Sequence, residues 1–141
     1  MPKKYLISGL CQRFLRLNKR FLEDIIKKSN ITYEQYHFLY MLSINPSCNQ
    51  SYLCEFYNAK KSLVSNVLRS LEDKNYITQT IDPDNRRSYI INLTPAGFEV
   101  LNAIREKDIE FENQLFNLLG VERAEFMENM EEIYNIMLKN Q

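Results

Sequence analysis

Apolar residues recur every three or four positions over most of the chain, the spacing of one face of a helix. Over residues 5–28 the sites Ile7, Leu10, Phe14, Leu17, Phe21 and Ile25 form such a stripe, widened by Cys11, Leu15, Leu22 and Ile26; they predict one long helix, broken at Asn30-Ile31. Thr32 followed by Gln35 predicts a capping box, in which the hydroxyl and the amide side chain satisfy orphan backbone amides at a helix start. The helix it opens runs to about Ile44 and is apolar nearly all round (Tyr36, Phe38, Leu39, Tyr40, Met41, Leu42), so it is expected to be the central, most buried element. Asn45-Pro46-Ser47 ends it.

A short helix is expected over about Asn49–Tyr57, with Tyr52, Leu53 and Phe56 on its apolar side, and another over Lys61–Lys74. The latter is apolar at Val64, Val67, Leu68 and Leu71, and polar or basic at Lys61, Ser62, Ser65, Asn66 and Arg69. Each is followed by an asparagine, Asn58 and Asn75, the residue other than glycine that best tolerates a left-handed cap. The period then shortens to two. Tyr76–Ile81 and Ser88–Leu93 read as strands, and Asp82-Pro-Asp-Asn-Arg-Arg87 between them as a polar turn with two arginines at its end. Thr94-Pro95 is a helix start, with the helix continuing through Phe98, Leu101, Ile104, Phe111, Leu115 and Leu118 to a stop at Gly120. A last helix from about Glu122 has Phe126, Met130, Ile133 and Met137 on one stripe. The fold class is therefore mainly α with a small β-hairpin wing.

A length of 141 residues suits a single domain, and only 3 Gly and 4 Pro exclude a collagen-like or low-complexity chain. No apolar run approaches the ~20 residues of a membrane span. Arg13 and Arg16 interrupt any signal-peptide core behind the basic N-terminus, so the expected location is the cytoplasm. Three cysteines (Cys11, Cys48, Cys54) without a C-x-x-C suit a reducing compartment. The net charge of zero conceals a polarity: residues 1–28 carry +6, residues 60–87 carry +2 and residues 98–141 carry −6. The acidic end is the wrong place for a polyanion.

Helix, short helix, turn, helix and hairpin in this order make a winged helix-turn-helix. A helix that enters the major groove must be apolar behind and small, polar or basic in front. Lys60 and Lys61 stand at the helix start, where backbone amides also favour phosphate. Ser62, Ser65 and Asn66 are short enough to approach base edges, and Arg69 can reach a phosphate or a guanine. Arg86 and Arg87 on the wing are placed for an adjacent minor groove or the flanking backbone. Each piece alone is a solvated face or a charged turn; the joint order gives them meaning.

The chain resembles the MarR family of winged-helix transcriptional regulators. The resemblance is carried by Lys61-Ser-Leu-Val-Ser-Asn-Val-Leu-Arg-Ser-Leu-Glu-Asp-Lys74 and by Asp82-Pro-Asp-Asn-Arg-Arg-Ser-Tyr-Ile-Ile-Asn-Leu-Thr-Pro-Ala-Gly97. It implies a single domain over 1–141, with a DNA-binding lobe at 31–97 and dimerisation helices at 1–30 and 98–141. It further implies a homodimer on a pseudo-palindromic operator, acting as a repressor. Three residues depart from the family pattern: Asn85 replaces an acid before the paired arginines, Asn75 a glycine, and Gln79 a basic residue.

Family effectors lie between the dimer helices and the DNA-binding lobe, and Phe14, Tyr33, Tyr36, His37 and Tyr40 are the candidates here for a cleft taking a planar lipophilic anion or phenol. The same aromatics at helical spacing also suit core packing. The peroxide-sensing branch of the family has a reactive cysteine in the first helix. Cys11 lies about one turn later than that register, where Ser8 falls, and Leu22 replaces an expected tyrosine, so Cys11 is read as a small buried residue with redox sensing as the alternative. Cys54 is read as core, and Cys48 as lying at a helix start. One histidine and dispersed cysteines give no metal site, and no cofactor is expected. An enzyme is disfavoured because no Gly-rich phosphate loop or Ser/His/Asp arrangement is present. A protein-interaction module has no reason to gather Lys60, Lys61, Arg69, Arg86 and Arg87 on one lobe.

Overall fold

The computed structural model describes residues 6–141; Lys3, Lys4 and the expected helix start at Tyr5 lie outside the described residues. The element order is α1 (Ile7–Phe21), α2 (Glu23–Lys28), α3 (Tyr33–Ile44), α4 (Gln50–Tyr57), α5 (Lys61–Asp73), β1 (Ile77–Asp82), β2 (Asn85–Leu93), α6 (Pro95–Leu119) and α7 (Arg123–Lys139). Two compact units are distinguished, residues 1–106 and 107–141.

The first unit is built around α3. Tyr36, Phe38, Leu39, Met41 and Leu42 are buried, joined by Leu22, Leu53, Val64, Leu68, Leu71, Ile77, Ile91, Leu101 and Ile104. The capping box is present: the Thr32 hydroxyl accepts from the Gln35 amide and the Gln35 side chain accepts from the Thr32 amide, both at 3.0 Å. Asn49 caps α4 by accepting from the Tyr52 amide at 2.9 Å. The two expected left-handed asparagines are left-handed, Asn58 at φ 48° and Asn75 at φ 64°. Tyr57, stacked on Phe38, donates its hydroxyl to the His37 carbonyl at 3.0 Å, and burial pushes its phenol well above the usual range.

Two expectations, the continuous first helix and the apolar side of α4, are corrected. The first helix is not continuous: Leu22 separates α1 from α2. Leu22 is also wholly buried, so the break falls where the chain meets the core. The apolar stripe of α1 does not pack inward in the single chain, since Ile7, Leu10, Phe14 and Leu17 are exposed and Asn18 is its one buried residue. On α4 only Leu53 of the expected trio is buried. Tyr52 and Phe56 stack on each other at 6.3 Å on the outer side, while Cys54 and Tyr57 pack against the core instead.

β1 and β2 pair antiparallel, with Ile77 opposite Leu93, Gln79 opposite Ile91 and Ile81 opposite Tyr89. Ile91 also donates its amide to the Cys48 carbonyl at 2.9 Å, which ties the chain before α4 to the second strand. Burial pushes the Cys48 thiol up.

The strand-to-helix junction is clamped at Thr94. Its hydroxyl donates to the Asn75 carbonyl at 2.7 Å and accepts from the Gly97 amide at 3.0 Å, while its own amide donates to the Tyr76 carbonyl at 3.0 Å. One short segment thus holds the end of α5, the first wing strand and the start of α6. Gly97 is required for this approach, because a Cβ there would stand 2.1 Å from the Tyr76 carbonyl oxygen, an atom of the backbone.

In the second unit, Arg123 grips Glu112 with two nitrogens at 2.7 and 3.3 Å, and Phe116 meets Phe126 edge-on at 5.4 Å. No residue of α7 is buried in the single chain.

Gly97→Ala is expected to destabilise the protein by at least about 1–3 kcal/mol, the usual range for overpacking, because a backbone carbonyl cannot move aside as a side chain can. Urea denaturation of the two proteins measures it; equal stability would remove the close approach from the account.

Candidate nucleic-acid interface

α5 is held against the first unit by Val64, Leu68 and Leu71 and turns Lys61, Ser62, Asn66 and Arg69 to solvent. Its N-cap is Lys60, which makes no side-chain cap hydrogen bond, in contrast to the capped starts of α3 and α4. The first-turn amides of α5 are therefore left without a side-chain acceptor, with two lysines beside them. Open amides, the positive end of the helix dipole and two cations together favour an anion.

Ser65 is not a free member of this face. It is half-buried, and its hydroxyl accepts from the Gln50 amide side chain at 2.5 Å; the same Gln50 nitrogen donates to the Lys61 carbonyl at 3.2 Å. Gln50, the first residue of α4, thus fixes the start of α5 from across the turn. Nothing in the sequence pattern marked Gln50, because the bond joins residues on two helices. Leu63, exposed among the polar residues of α5, was also missed; its signal is an apolar residue off the buried stripe.

The wing differs from the expected hairpin. β2 begins at Asn85, so the loop is only Pro83-Asp84, and Arg86 and Arg87 lie within the second strand rather than at the end of a turn. The register slips beside them: Ile81 faces Tyr89 but Asp82 faces Asn85, so Arg86, Arg87 and Ser88 are intercalated as a bulge. Two local side-chain bonds shape it, with Asp82 accepting from the Asp84 amide at 2.9 Å and Asn85 from the Arg87 amide at 3.2 Å. Asn85, a departure from the family pattern, acts here on the backbone. Both arginines are exposed. None of Lys60, Lys61, Arg69, Arg86 and Arg87 forms an ion pair among the described residues, unlike Lys27 with Glu23, Lys107 with Glu110 and Arg123 with Glu112. The outer face of α5 and the wing thus present these five cations and short hydrogen-bonding groups with no ion pair to an acidic side chain.

The five expected effector residues do not line one cavity in the single chain. Tyr36 is in the core, Tyr40 is exposed, and His37 packs edge-on against Tyr33 at 4.6 Å and tilted against Tyr36 at 5.0 Å. Tyr33 borders an open cleft of about 450 Å³ with Arg16, Lys19, Arg20, Glu23, Ile26, Lys27 and Thr32. Phe14 borders a second, of about 370 Å³, with Leu10, Arg13, Arg16, Leu17 and Arg20. The Tyr33 hydroxyl donates to the Asn18 side chain at 2.5 Å, joining α1 to the start of α3. Cys11, expected to be buried, is exposed, because the α1 face that carries it is not covered in the single chain. Cys54 is partly buried against the core. Among the described residues no group of three His, Cys, Asp or Glu could hold a metal ion, and no helix is long and apolar enough to cross a membrane.

The family model that matches the sequence is that of the MarR family, over residues 31–89. The HTH-type transcriptional regulator SarZ of Staphylococcus epidermidis is 25% identical over 99% of this chain and 94% of its own. Among solved structures, the crystal structure of MarR is 26% identical, with a TM-score of 0.81 over 99% of this chain and 95% of that one. The transcriptional repressor CouR, solved bound to a 23-mer DNA duplex, is 25% identical, with a TM-score of 0.74 over 95% of this chain and 93% of that one. The matched stretch begins at the residue before the capping box and ends in the wing, so the chain is similar to the MarR family of transcriptional regulators in sequence over that stretch and to solved MarR structures in fold over nearly its whole length.

Proposed function

We propose that the protein is a DNA-binding transcriptional repressor that docks as a homodimer on a pseudo-palindromic operator. The observation that carries this reading is the set of five cations that make no ion pair among the described residues, on the outer face of α5 and on the wing bulge, beside an uncapped helix start. Lys60 and Lys61 would hold phosphate with the first-turn amides of α5. Ser62 and Asn66 would meet base edges, Asn66 in the bidentate geometry that suits adenine. Ser65 would contribute only in the orientation Gln50 gives it. Arg69 would reach a phosphate or a guanine, and Arg86 and Arg87 the flanking groove. Similarity to CouR, a repressor solved on a DNA duplex, supports both the partner and the sign of regulation.

Dimerisation is supported by surfaces that the single chain leaves in water. Leu10, Phe14 and Leu17 in the first unit, and Met130, Ile133 and Met137 in the second, are each between 42% and 60% exposed. Burying each such side chain is worth about 1.5–3 kcal/mol, and a symmetric pair is the common solution. In this reading residues 1–30 and 98–141 are the dimerisation helices and 31–97 the DNA-binding lobe. A small aromatic anion is the proposed releasing effector, and the cleft bordered by Tyr33, Arg16, Lys19 and Arg20 has the matching charge.

Selection of genomic fragments by the purified protein, followed by gel shift over a salt series, tests the reading; failure to retain any fragment would overturn it. Within that assay Arg86→Ala with Arg87→Ala is expected to reduce the salt slope by about one unit for each phosphate that the pair neutralises. An unchanged slope and affinity would take the wing out of the interface.

Ile133→Asp is expected to shift the protein from dimer to monomer in sedimentation and to abolish operator binding, although Ile133 lies far along the chain from the winged lobe. A native protein that is monomeric at micromolar concentration and still binds a palindrome fully would contradict the dimer.

A further inference from the structure

The outer face of α5 is polar or cationic with one exception. Leu63, in the first turn of the helix, is 44% exposed, whereas Val64 beside it and Leu68 are buried to within 1%. Leu63 lies three residues before Asn66 and so shares its face. With Ser65 drawn toward α4 by Gln50, the surface left for a groove is Ser62, Leu63, Asn66 and Arg69. An apolar side chain in its middle can make no hydrogen bond to a base edge or a phosphate.

We propose that Leu63 is a specificity residue that reads the C5 methyl group of thymine in the major groove. The inference rests on the DNA-binding reading above and adds a base to it. The major groove presents one apolar group, the thymine methyl, among donors and acceptors. Against it, leucine buries apolar surface on both sides. Against the exposed amino or carbonyl edges of a G·C pair, leucine would take polar groups out of water without replacing their hydrogen bonds, which discriminates against that pair. Position in the helix agrees, since the N-terminal part of a recognition helix is the part that reaches base edges. Charge agrees as well: Lys60 and Lys61 stand beside Leu63 at the helix start and Arg69 lies further along the same helix, which suits a polyanion and not an apolar protein surface. Leu63 and Asn66 are separated by about 4.5 Å along the helix axis, close to one base step of ~3.4 Å, so a thymine read by Leu63 would lie next to or one removed from the pair read by Asn66.

The test uses a genomic fragment retained by the native protein and replaces its thymines one at a time by deoxyuridine, which removes only the methyl group. For the native protein one or two replacements in each half-site are expected to weaken binding about four-fold, the equivalent of one buried methylene. For Leu63→Ala the same replacements are expected to have no effect, and its affinity for the fully uracil-substituted fragment should equal that of the native protein. The thermal midpoint of Leu63→Ala, unchanged for a residue this exposed, guards against loss of fold. The proposal is overturned if the native protein binds the fragment and no thymine is methyl-sensitive, or if the sensitive thymines remain equally sensitive in Leu63→Ala. If no genomic fragment is retained, the DNA-binding reading itself falls and takes this inference with it.

Discussion

The side chain of Gln35 is the point on which the geometry of the lobe turns. It is 5% exposed, and a buried amide is stable only if its donors and acceptor are satisfied. Its oxygen accepts from the Thr32 amide and from the Lys74 ammonium, at 3.0 and 3.1 Å, and its nitrogen donates to the Ser70 hydroxyl at 2.7 Å. One residue therefore caps the start of the central helix and holds the C-terminal end of α5. Gln50 holds the other end through Ser65 and the Lys61 carbonyl. Apolar contacts of Val64, Leu68 and Leu71 fix how deep α5 sits, but they are non-directional. The two glutamines supply the directional bonds that fix its rotation, and rotation decides which side chains face outward.

The same division explains how much could be read from the sequence. Helices α3, α4 and α5 were legible because their ends are local chemistry: a capping box at Thr32 and Gln35 and left-handed asparagines at 58 and 75. The Thr94-Pro95 start was legible for the same reason, although its reach to Asn75 and Tyr76 was not. The break at Leu22 escaped because Leu22 keeps the helical period, a right-handed backbone and the hydrogen bonds from its amide to Asn18 and from the Ile26 amide to its carbonyl. The wing bulge escaped because alternation of residue types does not reveal a register slip, and here the slip moves both arginines from the turn into the strand. Leu63 was passed over because periodicity identifies what is buried and is silent about an apolar residue left outside.

The expected cleft shows the limit of reasoning from composition. Tyr33, Tyr36 and Tyr40 keep helical spacing along one helix, but what packs over that face changes along its length: Tyr36 is buried in the core, Tyr40 is exposed and Tyr33 borders the cationic cleft. The cations of that cleft come from α1 and α2, whose charge was legible but whose break at Leu22 was not. The terminal helices carry the complementary lesson. Their apolar stripes are real and mostly unburied within one chain, so periodicity there records a surface that folding of the single chain leaves uncovered.

Hydroxyl-radical footprinting of the native protein on a retained genomic fragment tests the central claim most directly, that two winged lobes grip one duplex symmetrically. Two recognition helices set ~34–36 Å apart should protect two equivalent patches one helical turn apart on the same face of the DNA, each with a weaker flank beneath a wing. A single protected patch, or uniform protection without periodicity, would contradict it.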